Sequence, residues 1–242
     1  MPIMSTTSRD AILHRIRTEL SKGPPTQAPP VPEIWPRTSG TGILPVSPSD
    51  TGETPVPPET PVPPLLANRF EGELKAVHGE VIRCATISDA QKQLAELVKQ
   101  AGWTSIGVMY RPICCDAVKE LDPKTIQWPK PNWPPTEMAD LGASIVAADV
   151  LLADTGSSLI ACPTAEDRLL CYLPPACVII ARVDQLAEHL PAAWDTVARR
   201  CADRELSGEF VIVTGPSRTS DIEKTLILGV HGPKRLVVLL VG

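Results

Sequence analysis

A single arginine set among hydroxyls is the clearest chemical feature of this chain. Residues 211–241 read VIVTGPSRTSDIEKTLILGVHGPKRLVVLLV: an apolar strand, a Gly215–Pro216 turn, then Ser217, Arg218 and Thr219. The hydroxyls of Thr214, Ser217 and Thr219, the Arg218 guanidinium and free amides at a helix start suit a carboxylate or phosphate. The helix is expected to begin near Thr219 or Ser220, with Ser220 and Glu223 as a capping box and Asp221 in its first turn. A plain structural alternative is a well-capped helix with a surface arginine. His231 follows in Gly-Val-His-Gly-Pro, after Gly229 ends that helix. It can serve as a general base or orient a substrate, or simply bond a turn carbonyl.

A second polar bend is LLADTGSSL, residues 151–159, where Asp154, Thr155, Gly156 and Ser157 interrupt two apolar runs. As structure it is a hairpin or strand turn. Asp-Thr-Gly also occurs in aspartic proteases, but those are rich in antiparallel strands and need a second carboxylate for a dyad. Arg168, in AEDRLLCYLPP, is either a second anion ligand or a partner of Asp167 or Glu166. The candidate site is therefore Thr214, Gly215, Ser217, Arg218 and Thr219 with Thr155, Gly156 and Arg168; His231 and Asp154 are the catalytic candidates. It requires the two bends to meet.

Other chemistries lose their motifs. There is no GxGxxG after a strand, no GxxxxGK[ST], no HExxH and no GxSxG. The seven cysteines, at 84, 114, 115, 162, 171, 177 and 201, include no CxxC and no zinc or ferredoxin spacing. They read as mostly buried thiols of a reducing compartment. The adjacent pair Cys114–Cys115 points in two directions on a helix or strand, so packing explains it better than reactivity.

The elements that must hold these bends alternate from residue 65 onward. Strands are expected at GEVIRCA (79–85), TSIGVMY (104–110), SSLIAC (157–162), ACVIIAR (176–182), EFVIVTG (209–215) and RLVVLLV (235–241). ASIVAADVLLAD (143–154) reads as a helix end plus strands. SDAQKQLAELVKQAG is a helix: Ser88 and Gln91 fit a capping box, Ala90, Leu94, Leu97, Val98 and Ala101 form its stripe, and Gly102 ends it. Residues 183–204 are expected to be a helix broken at Pro191, 220–229 a helix, and 126–135 an irregular covering loop. Continuous apolar strands between helices imply an α/β layer fold with helices on both faces of the sheet.

Upstream, 14 of the 27 prolines fall between Pro24 and Pro64, and TGILPV, TGETPVPP and ETPVPP are loose copies of one phrase. Proline removes donors and fixes φ, so 24–64 reads as a disordered or polyproline II linker. PxxP spacing at Pro55–Pro58 fits an SH3-type ligand; an inserted spacer is the simpler account. Residues 1–23 hold a helix, with Ser8 as cap, Ile12, Leu13, Ile16 and Leu20 on one face, and Gly23–Pro24 as stop. The domains are therefore 1–23, 24–64 and 65–242.

The chain has 242 residues, 43% of them hydrophobic, and a formal charge of -5. That charge argues against nucleic-acid binding, which needs a basic face. No run reaches the length of a membrane span, and Arg9, Asp10, His14, Arg15 and Arg17 interrupt any signal-peptide core. The expected location is cytoplasmic.

The stretches ADTGSSL, LPP followed by an apolar strand, and TGPSRTSDIEKTLILGVHGPKRLVVLLV together resemble the LUD-domain family in its lactate-utilization branch. SRDAILHRIRTEL resembles that family's N-terminal helix. The likeness covers 1–22 and 65–242, and the proline-rich insert departs from it. The resemblance implies a three-layer α/β sandwich with a mostly parallel sheet, similar to the NagB/RpiA/CoA-transferase-like fold. It implies a part in oxidising L-lactate to pyruvate beside two iron–sulfur partner proteins. The clusters would belong to those partners, with no cofactor in this chain. Two alternatives are a stand-alone CoA- or folate-type transferase or ligase on the same fold, and a regulatory module docking through its proline-rich segment. The transferase lacks its nucleophilic glutamate on a Gly-rich turn, and the ligase lacks its Gly-rich phosphate loop.

Overall fold

The runs LVVLLV, CVIIA and SIVA have no polar face to turn toward water, so they can be buried only in a sheet covered on both sides. The computed structural model describes Thr18 and residues 63–203, 209–220, 226–228 and 232–242. The chain divides into units 1–55 and 56–242, and the architecture below is that of the second. The expected N-terminal helix and nearly all of the proline-rich segment lie outside the described residues; Thr18 is helical.

The apolar runs form the middle of a six-stranded sheet. Its order is β1 (Glu80–Cys84), β12 (Arg235–Val241), β7 (Ala176–Arg182), β4 (Ala143–Ala147), β2 (Ile106–Val108), β3 (Ile126–Gln127). Every neighbouring pair is parallel, with Val238 beside Ile179 and Val178 beside Ile145. Residues 178–181 and 237–240 are at most 1% exposed. Each Val, Ile or Leu among them is worth roughly 1.5–3 kcal/mol of transfer free energy.

A second sheet leaves the first where β4 ends. Its order is β8 (Leu186–Ala187), β5 (Val150–Leu152), β6 (Ser157–Cys162), β9 (Glu209–Val213). β5 and β6 are an antiparallel hairpin, β6 and β9 are antiparallel, and β5 and β8 are parallel. A separate hairpin joins β10 (Arg218–Ser220) to β11 (Leu226–Leu228).

The helices follow local signals. α1 (Pro63–Ala76) begins two residues inside the segment read as linker, with prolines in its first turn, where a missing N–H costs nothing. Its Ala67, Phe70 and Leu74 are buried, so it belongs to the domain; the alternation of elements did not call for it. α2 (Ile87–Ala101) buries Ala90, Leu94 and Leu97 as expected and ends on Gly102 at φ 66°. Its capping box is formed by Thr86 and Asp89, two residues earlier than Ser88 and Gln91. α3 (Pro112–Ala117), α4 (Pro135–Ala139) and α5 (Ala165–Leu170) are short. α2 lies on β1 and β12, α3 on β4 and β7, and α5 on β4 and β6. The result is a three-layer α/β sandwich with a mostly parallel sheet. α6 (Trp194–Ala202) covers the second sheet with Val197, against Val150, Leu152 and Leu159.

Several expectations fail. Residues 143–154 hold no helix end, only β4 and β5, and the expected loop 126–135 opens on β3 and ends at the start of α4. Residues 220–229 do not form one helix: Arg218, Thr219 and Ser220 pair with Leu228, Ile227 and Leu226 in β10 and β11. A ladder suits Thr219, Leu226, Ile227 and Leu228 well, and pairing across the hairpin overrides a weak capping signal. Residues 183–204 divide further than one break at Pro191 implies. A 3₁₀ turn at Val183–Gln185, β8 and a second 3₁₀ turn at Leu190–Ala193 precede α6.

Candidate functional site

The two polar bends meet. Asp154, Thr155 and Gly156 form the tip of the β5–β6 hairpin, and Thr214, Gly215 and Ser217 follow β9. Because β6 and β9 are paired, Ser157 Oγ lies 2.9 Å from Thr214 Oγ1. Both bends rest on the end of α1. Gly156 holds φ 64°, and a Cβ there would come within 2.4 Å of the Leu74 amide nitrogen. A Cβ at Gly215 would meet Val77 at 3.0 Å. Gly156 thus answers a left-handed backbone and a close helix, a structural demand independent of any ligand.

Thr155 is exposed and Asp154 half-buried. The Asp154 amide donates to the Glu188 carbonyl at 3.0 Å, which ties the tip to the residue just past β8. Ser217 N–H donates to the Pro233 carbonyl at 2.7 Å, and Lys234 N–H to the Pro175 carbonyl at 2.8 Å. Pro175, Lys234 and Val77 stand just before β7, β12 and β1. The joined bends therefore sit at the amino end of the parallel sheet. The strand leading into them, β9, belongs to the second sheet, so the preference for ligands at parallel strand carboxyl ends does not apply to it. Arg218 and Thr219 lie on β10 rather than at a helix start. His231 lies outside the described residues.

Arg168 is engaged elsewhere. It forms an ion pair with Glu209, the first residue of β9. Neither expected partner holds it: Asp167 accepts the Thr164 hydroxyl at 2.7 Å, and Glu166 accepts the Asn132 amide at 2.9 Å.

The opposite end of the sheet carries a polar cluster that motif reading passes over. Asp149 stands where the chain leaves β4 for β5, with its side chain 4% exposed. Its Oδ2 accepts the Ala161 amide at 2.7 Å, and its Oδ1 pairs with Arg200 Nε at 3.1 Å. Arg111, at the carboxyl end of β2, reaches the same carboxylate at 3.4 Å and donates to the Ala161 carbonyl at 3.0 Å. β2 and β4 are neighbours, yet β2 leads to the edge strand β3 and β4 leads out to the second sheet. The cluster lies at this change of direction. Two guanidiniums against one carboxylate leave it positive, and Arg200, on α6, is its more exposed member at 38%. Beside it, Tyr110 and Trp128 meet edge to face with ring centroids 5.7 Å apart. The available signal was a lone acid in the apolar run SIVAADVLL, since a charge flanked so must be paired.

None of the seven cysteines is in a disulfide, and those at 84, 114, 162, 171 and 177 are buried. Burial pushes the Cys177 thiol up to about 12 and raises Cys114 as well. The Cys115 thiol is raised too, chiefly by burial and then by Asp116. Such thiols stay protonated near neutrality. Among the described residues, no group of three or more His, Cys, Asp or Glu side chains is placed to hold a metal ion. No described helix is long and apolar enough to cross a membrane.

These features define an α/β protein with a parallel core sheet, a smaller sheet grown from its middle, and polar clusters at both ends. The chain belongs to the LUD domain family, whose model matches residues 67–241. It is similar to lactate utilization protein C of Bacillus pumilus (strain SAFR-032), with 31% identity over 99 residues, 40% of this chain and 41% of that protein. It is also similar to lactate utilization protein C of Shouchella clausii (strain KSM-K16), with 30% identity over 118 residues, 43% of this chain and 45% of that protein. The matched region thus spans less than half the length of these curated relatives. A solved structure of a DUF162 family protein from Deinococcus radiodurans has TM-score 0.54 and 16% identity, covering 75% of this chain and 99% of that one. That likeness speaks to the fold alone.

Proposed function

We propose that this chain is a component of an L-lactate utilization system, working beside two iron–sulfur proteins that oxidise L-lactate to pyruvate. The observation that carries this reading is the family match over residues 67–241, together with relatives named lactate utilization protein C. The cysteine spacing supports the division of labour, because redox clusters need thiolate sets that this sequence does not arrange.

The bends at the amino end of the sheet are the proposed place for a small carboxylate or phosphate. Thr155 and Gly156 come from one bend, Thr214, Gly215 and Ser217 from the other, and Arg218 and Thr219 from the strand that follows. The contact between Ser157 and Thr214 supports a common site, and Arg218 would supply the charge. Asp154 and His231 are the residues proposed to line it. Arg168 contributes less than its charge suggests, because Glu209 already holds it.

Two measurements test the reading. Capture of the two iron–sulfur proteins by the tagged full chain is expected, as is loss of growth on L-lactate in a deletion strain. No association and undiminished growth would remove the proposal. At the site, L-lactate or pyruvate is expected to raise the melting temperature, and Arg218→Gln to abolish that rise. An undiminished rise in the variant would move the anion elsewhere.

A further inference from the structure

Cys162 ends β6 and Cys171 closes α5, and the two sulfurs stand 3.8 Å apart inside the protein. Both residues are buried, at 2% and 1% exposure. We propose that Cys162 and Cys171 are a dithiol that a hydroperoxide converts to an intramolecular disulfide in the folded chain.

Proximity comes first. A disulfide bond is about 2.05 Å long, so the sulfurs must close by roughly 1.8 Å, within reach of side-chain rotation and a small slide of a short helix. Nine positions separate the two cysteines, and the segment between them is β6's exit, the Thr164 cap and six-residue α5. The sulfurs' other contacts are weak: Cys162 Sγ lies 3.7 Å from the Ile160 carbonyl and Cys171 Sγ 3.4 Å from that of Asp167. Neither contact locks a rotamer as a strong hydrogen bond would.

The chemistry balances in two steps. One thiolate attacks the peroxide oxygen, forming a sulfenic acid and releasing an alcohol, or water from hydrogen peroxide. The second thiol then attacks that sulfur, the S–S bond forms, and water leaves. Two thiols are oxidised by two electrons and the peroxide is reduced by two. The hydrogen bond shared with Cys162, in which the Cys171 S–H donates, and after it burial hold the Cys171 thiol protonated, so reaction waits on opening of α5. The pair is a slow sensor of sustained peroxide, not a fast peroxidatic site. Cys201 is exposed, with no cysteine hydrogen-bonded to it among the described residues, and would give mixed or intermolecular products.

The test uses the full chain under native conditions. The protein is treated with hydrogen peroxide, free thiols are blocked, and peptides are mapped by mass spectrometry before and after dithiothreitol. The expected product joins Cys162 to Cys171 within one chain, with a loss of about 2 Da that dithiothreitol reverses. Cys162→Ser and Cys171→Ser, each in a Cys201→Ser background, should both lose the product; if a variant does not fold, wild-type mapping decides alone. Cys162 and Cys171 remaining alkylatable while Cys115 or Cys201 oxidises would overturn the proposal. So would a bond from Cys171 to Cys177.

Discussion

The two ends of the parallel sheet carry polar clusters built in opposite ways. At the amino end, two bends touch through neutral hydroxyls, Ser157 and Thr214, and lean on the backbone of α1. At the carboxyl end, one buried carboxylate, Asp149, binds two guanidiniums and a backbone amide. The first is an arrangement of neutral hydroxyls and glycines that carries no charge of its own in the Ser157–Thr214 contact. The second already contains its charges and uses them to join β2, β4, β6 and α6. A visible motif can thus answer a backbone demand, as Gly156 does, while an unremarkable aspartate can fix how two sheets meet.

The sharpest break in this comparison comes from Asp149→Ala. It should strand two guanidiniums and the Ala161 amide, costing on the order of 3–5 kcal/mol in urea unfolding. A loss below about 1 kcal/mol would mean the cluster does not clamp the sheets. Gly156→Ala is next. A left-handed residue and a Cβ pressed on Leu74 should cost roughly 2–3 kcal/mol. An unchanged melting temperature would show that the hairpin tip can leave α1.

Ser157→Ala should cost about 1 kcal/mol, the worth of one neutral hydrogen bond. It should also weaken any shift in melting temperature given by L-lactate. A full ligand response in that variant would separate the Ser157–Thr214 contact from binding. The neighbouring Ser158→Ala should be neutral or stabilising by a few tenths of a kcal/mol. Ser158 Oγ is buried, with no hydrogen-bond partner among the described residues. A clear loss there would reveal a partner.

The smallest effect concerns pH. The Lys75 ammonium, and after it Arg83, holds the Glu71 carboxyl below its usual value, against some opposing desolvation. A depressed carboxylate stabilises the fold above its unfolded value and loses that contribution as pH falls through the folded one. Glu71→Gln should therefore be destabilised by a few tenths of a kcal/mol at pH 7, and the difference from wild type should shrink as pH falls below the ordinary carboxylate value and vanish once pH is below the depressed folded one. A difference that persisted in acid would assign Glu71 a role in packing.

How much could be read in advance depends on how local the signal was. Strand 176–182 and strand 235–241 were legible because six apolar residues in a row can only be buried. The ends of α2 were nearly legible, since Gly102 is a local stop, though Thr86 with Asp89 took the cap from Ser88. The helix expected at 220–229 failed because Ser220 and Glu223 are a local hint, while pairing with 218–220 is a contact across the hairpin. Asp149 was passed over because motifs register residues that stand together, and Arg111 and Arg200 stand 38 and 51 positions away.

The chain's order of residues alone determined the α/β class, the buried strands and the two polar bends, because burial and turn chemistry act over a few neighbours. Only the tertiary structure decided that the bends share the amino end, that Arg168 belongs to Glu209, and that Asp149 pins one sheet to the other. Those outcomes depend on strand order and register, which arise from contacts made across the whole domain.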